Sequence, residues 1–241
     1  MSLQEKIARS IELLREAEGL HTPAVFTTSL GVEDMVLLDL IARHAPKIGL
    51  ATLDTGRLPA QTYELLEKAE RHYKRRIEVF FPKAKAVEQY VRYNGINGFF
   101  ESITQRKGCC EVRKVEPLNR ALAGKKAWIT GMRRDQAATR AALSDKAWDE
   151  DHQLTKFNPL IDWTLDDVWA YVREHGVPYN ALHDAGYPSI GCAPCTRAVA
   201  PGEDVRAGRW WWESPDQKEC GLHVSASGLS RAKDAKDTVS A

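Results

Sequence analysis

A repeated switch of period constrains this chain more than anything else in it. AVFTTSL (24–30), IGLATLD (48–54), IEVFFP (77–82) and KAWITGM (126–132) are short runs of β-formers. Helical spacing of apolar residues takes over in GVEDMVLLDLIARHA (31–45), PAQTYELLEKAERHY (59–73), AKAVEQYVRY (84–93) and EVRKVEPLNRALAG (111–124). Pro59 suits a first turn, Pro117 predicts a break, and Gly124 is a natural end. Strands alternating with helices predict an α/β fold, a parallel sheet with helices on both faces.

The second half reads differently. NPLIDWTLDDVWAYVREHG (158–176) predicts a helix capped by Thr164, with Asp167 three residues on. Beyond it come turns and aromatics without a period, among them the run Trp210-Trp211-Trp212. Consecutive tryptophans need a surface to pack on. The expected organisation is an α/β domain over 1–200, a functional C-terminal segment over 201–224, and a disordered tail over 225–241, rich in Ser, Ala, Lys and Asp.

Charge and hydropathy narrow the classes. With 34 Lys+Arg against 33 Asp+Glu, the net charge of +1 argues against a general nucleic-acid coat. No apolar run reaches the roughly 18 residues of a membrane span. The first twenty residues alternate charged and apolar types without the apolar stretch of a signal peptide. The expected compartment is the cytoplasm. The oligomeric state stays open, a homo-oligomer included.

Five cysteines in a reducing compartment favour metal binding or a catalytic thiol over disulfides. Cys192 and Cys195 form a C-x-x-C, which redox pairs, zinc sites and iron–sulfur sites all use. Cys109 and Cys110 are adjacent. Neighbouring thiolates seldom both face one tetrahedral ion, whereas a [4Fe–4S] cube offers each its own iron. Zinc, or a buried pair of small apolar side chains, remains open at this point. Cys220 is the cysteine left over, with His223 three residues on and Arg206, Arg209 and Lys218 upstream. Cationic neighbours favour the thiolate, the nucleophilic form.

In an open α/β sheet, ligands bind at the carboxyl ends of strands. Three turns qualify: 27–34 after the first strand, 53–57 after the second and 130–135 after the fourth. In the first, backbone N–H groups at a helix N-terminus are expected to face an anion. The chain has no G-x-G-x-x-G and no G-K-[ST], against a dinucleotide fold or a Walker ATPase.

Taken together these residues resemble the assimilatory adenylyl-sulfate reductases of the bacterial iron–sulfur type, within the phosphoadenylyl-sulfate reductase family. The resemblance runs from about Phe26 to His223. It is carried by Ser29, Gly31, Glu33 and Asp34; by Leu53-Asp54-Thr55-Gly56; and by Cys109-Cys110 with Arg113-Lys114. Further on it is carried by Thr130-Gly131 with Arg133-Arg134-Asp135-Gln136, by Cys192-x-x-Cys195, by Arg206-x-Gly208-Arg209-Trp210, and by Glu219-Cys220-Gly221-Leu222-His223. It implies a Rossmann-like, adenine-nucleotide-α-hydrolase-like fold with a C-terminal catalytic tail. It also implies adenosine 5′-phosphosulfate as substrate, thioredoxin as reductant, a cluster on Cys109, Cys110, Cys192 and Cys195, and Cys220 as nucleophile.

The substrate contacts it implies are Ser29, Gly31, Glu33, Asp34, Leu53, Asp54, Thr55, Gly56, Lys114, Gly131, Arg140, Arg206, Arg209 and His223. Arg140 is carried over despite a loop one residue shorter than the usual pattern, and Leu30 stands where relatives often have a small or aromatic residue. A thiolate attacking a sulfur ringed by anionic oxygens needs fixed positive charge; Lys114, Arg140, Arg206 and Arg209 are the candidates. Two competing readings are a 3′-phosphoadenylyl-sulfate reductase, whose members typically lack the two cysteine pairs, and an ATP pyrophosphatase-type thiolation enzyme. The second would want a glycine-rich Ser-Gly-Gly loop, where this turn has only Gly31. A sensor that holds a metal without catalysis would have no use for Cys220.

Overall fold

A computed structural model describes residues 1–136 and 143–214. Arg140, Cys220, His223 and the expected disordered tail lie outside the described residues. In chain order the elements are α1 (Leu3–Leu20), β1 (Ala24–Thr28), α2 (Val32–His44), β2 (Gly49–Leu53), α3 (Ala60–Tyr73), β3 (Glu78–Phe80) and α4 (Ala84–Asn94). They continue with α5 (Ile103–Cys110), a π-helical turn (Glu111–Val115), α6 (Glu116–Leu122), β4 (Ala127–Ile129), β5 (Lys146–Asp149), β6 (Leu154–Phe157) and α7 (Leu165–His175).

The six strands form a single sheet in the order β3-β2-β1-β4-β6-β5. Five run parallel, and β5 pairs antiparallel with β6 at the edge. The expected parallel sheet is thus mostly parallel, closed by a hairpin that periodicity did not reveal.

Side chains alternate across the strands as a pleated sheet requires. Phe26, Ile129 and Phe157 enter a large core with α1, α2, α3 and α7, including Leu13, Leu37, Ile41, Leu65 and Val168. Val25, Ala51 and Trp128 turn to the opposite face, where Leu118, Ala121 and Leu122 of α6 cover them. Helices therefore lie on both faces. At roughly 25 cal/mol per Å² of apolar surface removed from water, this two-sided burial is the main favourable contribution to folding.

The predicted caps are present. Thr164 accepts from the Asp167 N–H, and the Asp167 carboxylate accepts from the Thr164 N–H. α1 starts with the same device, built from Ser2 and Glu5. Pro117 does not break its helix. The chain runs as helix from 103 to 122, widened to π-helical bonding over 111–115 just ahead of the proline. A proline ring crowds the carbonyl four residues back, and a widened turn gives it room.

Candidate active site

The strand order reverses between β1 and β4, so their connections leave in opposite directions and open a crevice. A cavity of about 320 Å³ occupies it. The strand ends contribute Thr27, Thr28, Ser29, Leu53, Thr55 and Thr130, with Gly31, Glu33 and Asp34 from the head of α2. Lys114 enters from the π-helical turn, and Arg206, Arg209 and Trp210 from the C-terminal segment. The structure thus brings together ten of the expected contact residues: Ser29, Gly31, Glu33, Asp34, Leu53, Thr55, Lys114, Gly131, Arg206 and Arg209.

Asp54 and Gly56 do not line the cavity. The buried Asp54 carboxylate accepts from the Gly56 N–H (2.7 Å) and the Tyr63 hydroxyl (2.9 Å), which shapes the turn after β2. Gly56 sits at φ 69°, where glycine is favoured. Arg133 and Gln136, quoted in the sequence only as part of a motif, line the cavity, and sequence reasoning missed His183 and Ser189 in its wall. His183 lies in a stretch without period, so no spacing marked it. Its ring is half-buried and burial holds its pKa below the usual histidine value.

In the first turn, the three N–H groups just ahead of α2 already have partners within this chain. The Asp34 carboxylate accepts from the Ser29 N–H (2.6 Å) and the Ser29 hydroxyl (2.7 Å). The Leu30 N–H goes to Thr28 Oγ1 (2.9 Å) and the Gly31 N–H to Ser29 Oγ (3.2 Å). Leu30 adopts φ 60° and turns its side chain into the core. Burial and the neighbouring Glu33 push the Asp34 carboxyl up to about 7, against the hydrogen bonds from Ser29. Gly131 packs over this carboxylate so closely that a Cβ would land on it.

The cysteines flank the opposite side. Cys109 and Cys110 end α5, and Cys192 and Cys195 sit on the loop that follows residue 190, all four half-buried. Two contacts tie that loop to the turn after β2: Ala193 N–H to the Arg57 carbonyl (2.8 Å), and Thr55 Oγ1 with Cys192 Sγ (3.2 Å). Arg113 donates to the Thr55 carbonyl (2.7 Å).

Burial pushes the Cys195 thiol up to about 12, with Cys192 adding to it and Lys114 and Arg209 opposing. Burial likewise raises Cys109, opposed by Arg113. The pairs are therefore near enough to act on one another electrostatically, with cations beside them. Among the described residues no three Cys, His, Asp or Glu side chains stand close enough to share one ion. A four-iron cube makes no such demand, since each thiolate meets a different iron. Four cysteines on two elements, compensated by Arg113, Lys114 and Arg209, fit that group.

Arg209 is held from both sides. Its backbone makes an isolated antiparallel bridge with Thr196, and its guanidinium lies so close to Gly191 that a Cβ there would strike it. The tryptophan run packs as its composition required: Trp210 is buried, and Trp212 meets Phe99 and Phe100.

Residues 23–198 match the phosphoadenosine phosphosulfate reductase domain family. The chain belongs to that family. It is 55% identical over 222 residues to the adenosine 5′-phosphosulfate reductase of Allochromatium vinosum, covering 92% of this chain and 87% of that one. The enzyme of the same name from Burkholderia cepacia is 51% identical over 223 residues, covering 92% and 89%. Among solved structures, the phosphoadenylyl-sulfate reductase of Candida auris in its phosphate complex superposes with a TM-score of 0.67 at 30% identity. That match covers 82% of this chain and 96% of that one. The expected family and fold are therefore borne out. No described helix is long and apolar enough to cross a membrane.

Proposed function

We propose that this family member reduces adenosine 5′-phosphosulfate to sulfite and AMP, with thioredoxin as the dithiol reductant. The observation that carries the reading is the lining of the cavity. Glu33, Asp34 and threonine hydroxyls suit the uncharged hydroxyls of a nucleoside. Lys114, Arg206 and Arg209 line the same cavity, with Lys114 and Arg209 near Cys195, and suit the phosphosulfate. The names of the relatives support the same substrate.

The chemistry follows from charge. Guanidinium and ammonium groups fixed around the sulfate offset the repulsion between a thiolate and the sulfate oxygens. The Cys220 thiolate attacks sulfur, an S–S bond forms, and the bond from sulfur to the phosphate oxygen breaks. AMP leaves with the electron pair. A thiolate of the reductant then attacks the Cys220 sulfur and sulfite departs with its electron pair. The reductant's second thiol resolves the mixed disulfide, so the dithiol gives up two electrons. A cytosolic dithiol near −270 mV suits this step. With four cysteines in the cluster, only Cys220 remains, so the second thiol comes from outside.

Cys109, Cys110, Cys192 and Cys195 would hold a [4Fe–4S] cluster, whose charge and rigidity would shape the field at the sulfate. Lys114, close to Cys195, stands between those cysteines and the cavity.

Sulfite release with adenosine 5′-phosphosulfate or its 3′-phosphorylated analogue, each with thioredoxin, tests the reading. Turnover is expected with the first nucleotide. Turnover with the second alone would move the chain to the other branch of its family, and release with neither would sink the proposal.

A further inference from the structure

We propose that Arg106 and Glu213 form a clamp that positions the C-terminal segment for attack, a role resting on the reading of Cys220 as nucleophile. Arg106 lies on α5, three residues before Cys109. Glu213 is the next-to-last described residue before the chain leaves for Cys220. Arg106 donates from Nε to one Glu213 oxygen (2.9 Å) and from Nη2 to the other (2.7 Å). Both side chains are almost wholly buried, 1% and 3% exposed.

The fork is joined to the substrate side of the cavity through Trp210. The Arg106 and Arg209 guanidiniums both lie over the Trp210 ring, each 4.6 Å from its centroid. Trp210 also donates its N–H to the Cys195 carbonyl (3.2 Å). Its backbone sits at φ 42°, a conformation that a bulky residue keeps only where its surroundings hold it. One assembly thus contacts the helix of the first cysteine pair, the loop of the second, a cation of the cavity and the exit of the chain.

Burying two charges is a poor way to gain stability, since apolar side chains of similar volume often do as well. A planar two-bond fork does what apolar packing cannot, because it accepts its partner in a single orientation. The position it fixes matters here. Glu213 is seven residues from Cys220 in the sequence, and the clamp holds this anchor point beside the cysteine pairs and the cations of the cavity.

The test compares wild-type protein, Glu213→Gln, and the double variant Arg106→Met with Glu213→Leu, each carrying its metal. Mixed with adenosine 5′-phosphosulfate and no dithiol, each is followed by mass spectrometry for the sulfite adduct on Cys220. AMP affinity and visible absorption are recorded alongside. A positioning clamp predicts adduct formation slowed roughly ten- to a hundredfold in both variants, with AMP affinity and absorption kept. A pair that only stabilises would let the apolar double variant regain the wild-type rate, and that result would overturn the proposal. An adduct missing from wild-type protein too would instead refute Cys220 as the nucleophile.

Discussion

Asp34 carries its carboxylate to the place where an anion-binding loop would hold its ligand. Its ordinary value is 3.8, and burial raises it to about 7 in the fold. The folded chain therefore keeps a proton there that the unfolded chain has released. The stability tied to Asp34 is fully present below about pH 4, falls as pH rises to about 7, and is constant above that. Asparagine keeps an acceptor for Ser29 and cannot ionise. The gain in melting temperature of Asp34→Asn over wild type should be small near pH 4, grow towards pH 7 and then level off. A gain that is flat across that range would contradict the raised value.

Gly191 gives a second test at this scale. A methyl group there meets the end of the Arg209 side chain rather than backbone, so the arginine can move and the fold survive. Gly191→Ala should weaken AMP binding much as Arg209→Ala does, by about 1.5–3 kcal/mol for a lost charge-assisted contact. Calorimetric titration of both variants would decide it, and unchanged affinity in Gly191→Ala would free Arg209 from the binding role.

The helix from 103 to 122 carries the first cysteine pair at one point and packs on the sheet at another. Its π-helical turn holds one residue more than ordinary winding would need. Deleting Val112 would restore ordinary winding and leave Cys109 and Cys110 at nearly the same angle to Leu118 and Leu122, since four residues at about 100° each turn a helix about as far as five in the wider turn. Inserting an alanine between Val115 and Glu116 would instead turn the pair by about 100°. The deletion product should fold cooperatively and keep its iron and sulfide, and the insertion product should be depleted of both. Cys192→Ser should lose the same metal by removing a ligand outright. Full iron content in the folded insertion variant would show that the angle along this helix is not what aims the pair.

This turn also marks where the sequence stopped being legible. A proline after a good helical run reads as a break, because the local pattern holds no trace of a change in hydrogen-bond register. β1, β2 and β4 with their helices were readable, since burial on both faces leaves apolar runs, and β3 at the sheet edge showed through its β-formers. The β5–β6 hairpin was not: β5 is largely exposed, with Trp148 at 53%, and Lys156 interrupts the four residues of β6. α1 hid for a related reason, burying only Ser10, Leu13, Leu14 and Ala17 along eighteen residues. At the site, Lys114, Arg206 and Arg209 stand out by type, and the sequence put them at the cavity that they line. Asp54 was misplaced because a turn-shaping aspartate and a ligand-binding one look identical until their partners are seen.

Across the whole molecule, the proposed mechanism calls on the strand ends, the cysteine-bearing helix and Cys220 together. Cys220→Ser should separate their contributions. A serine hydroxyl is far less acidic than a thiol, so sulfite release and the covalent adduct should vanish while AMP affinity and visible absorption remain. Appreciable turnover by the serine variant, or an adduct on another cysteine, would overturn the mechanism.

The carboxylate already seated in the first turn has a consequence for anyone designing an inhibitor. Beside the first turn an added phosphate would face Asp34 and Glu33, and the Ser29 and Leu30 N–H groups there are already bonded. Potency there should come from hydroxyl or amine donors, with a compact anionic head reserved for Lys114, Arg206 and Arg209. A scaffold built on those lines would carry its polarity opposite to that of ligands made for ordinary phosphate loops, and the same polarity would keep it off them.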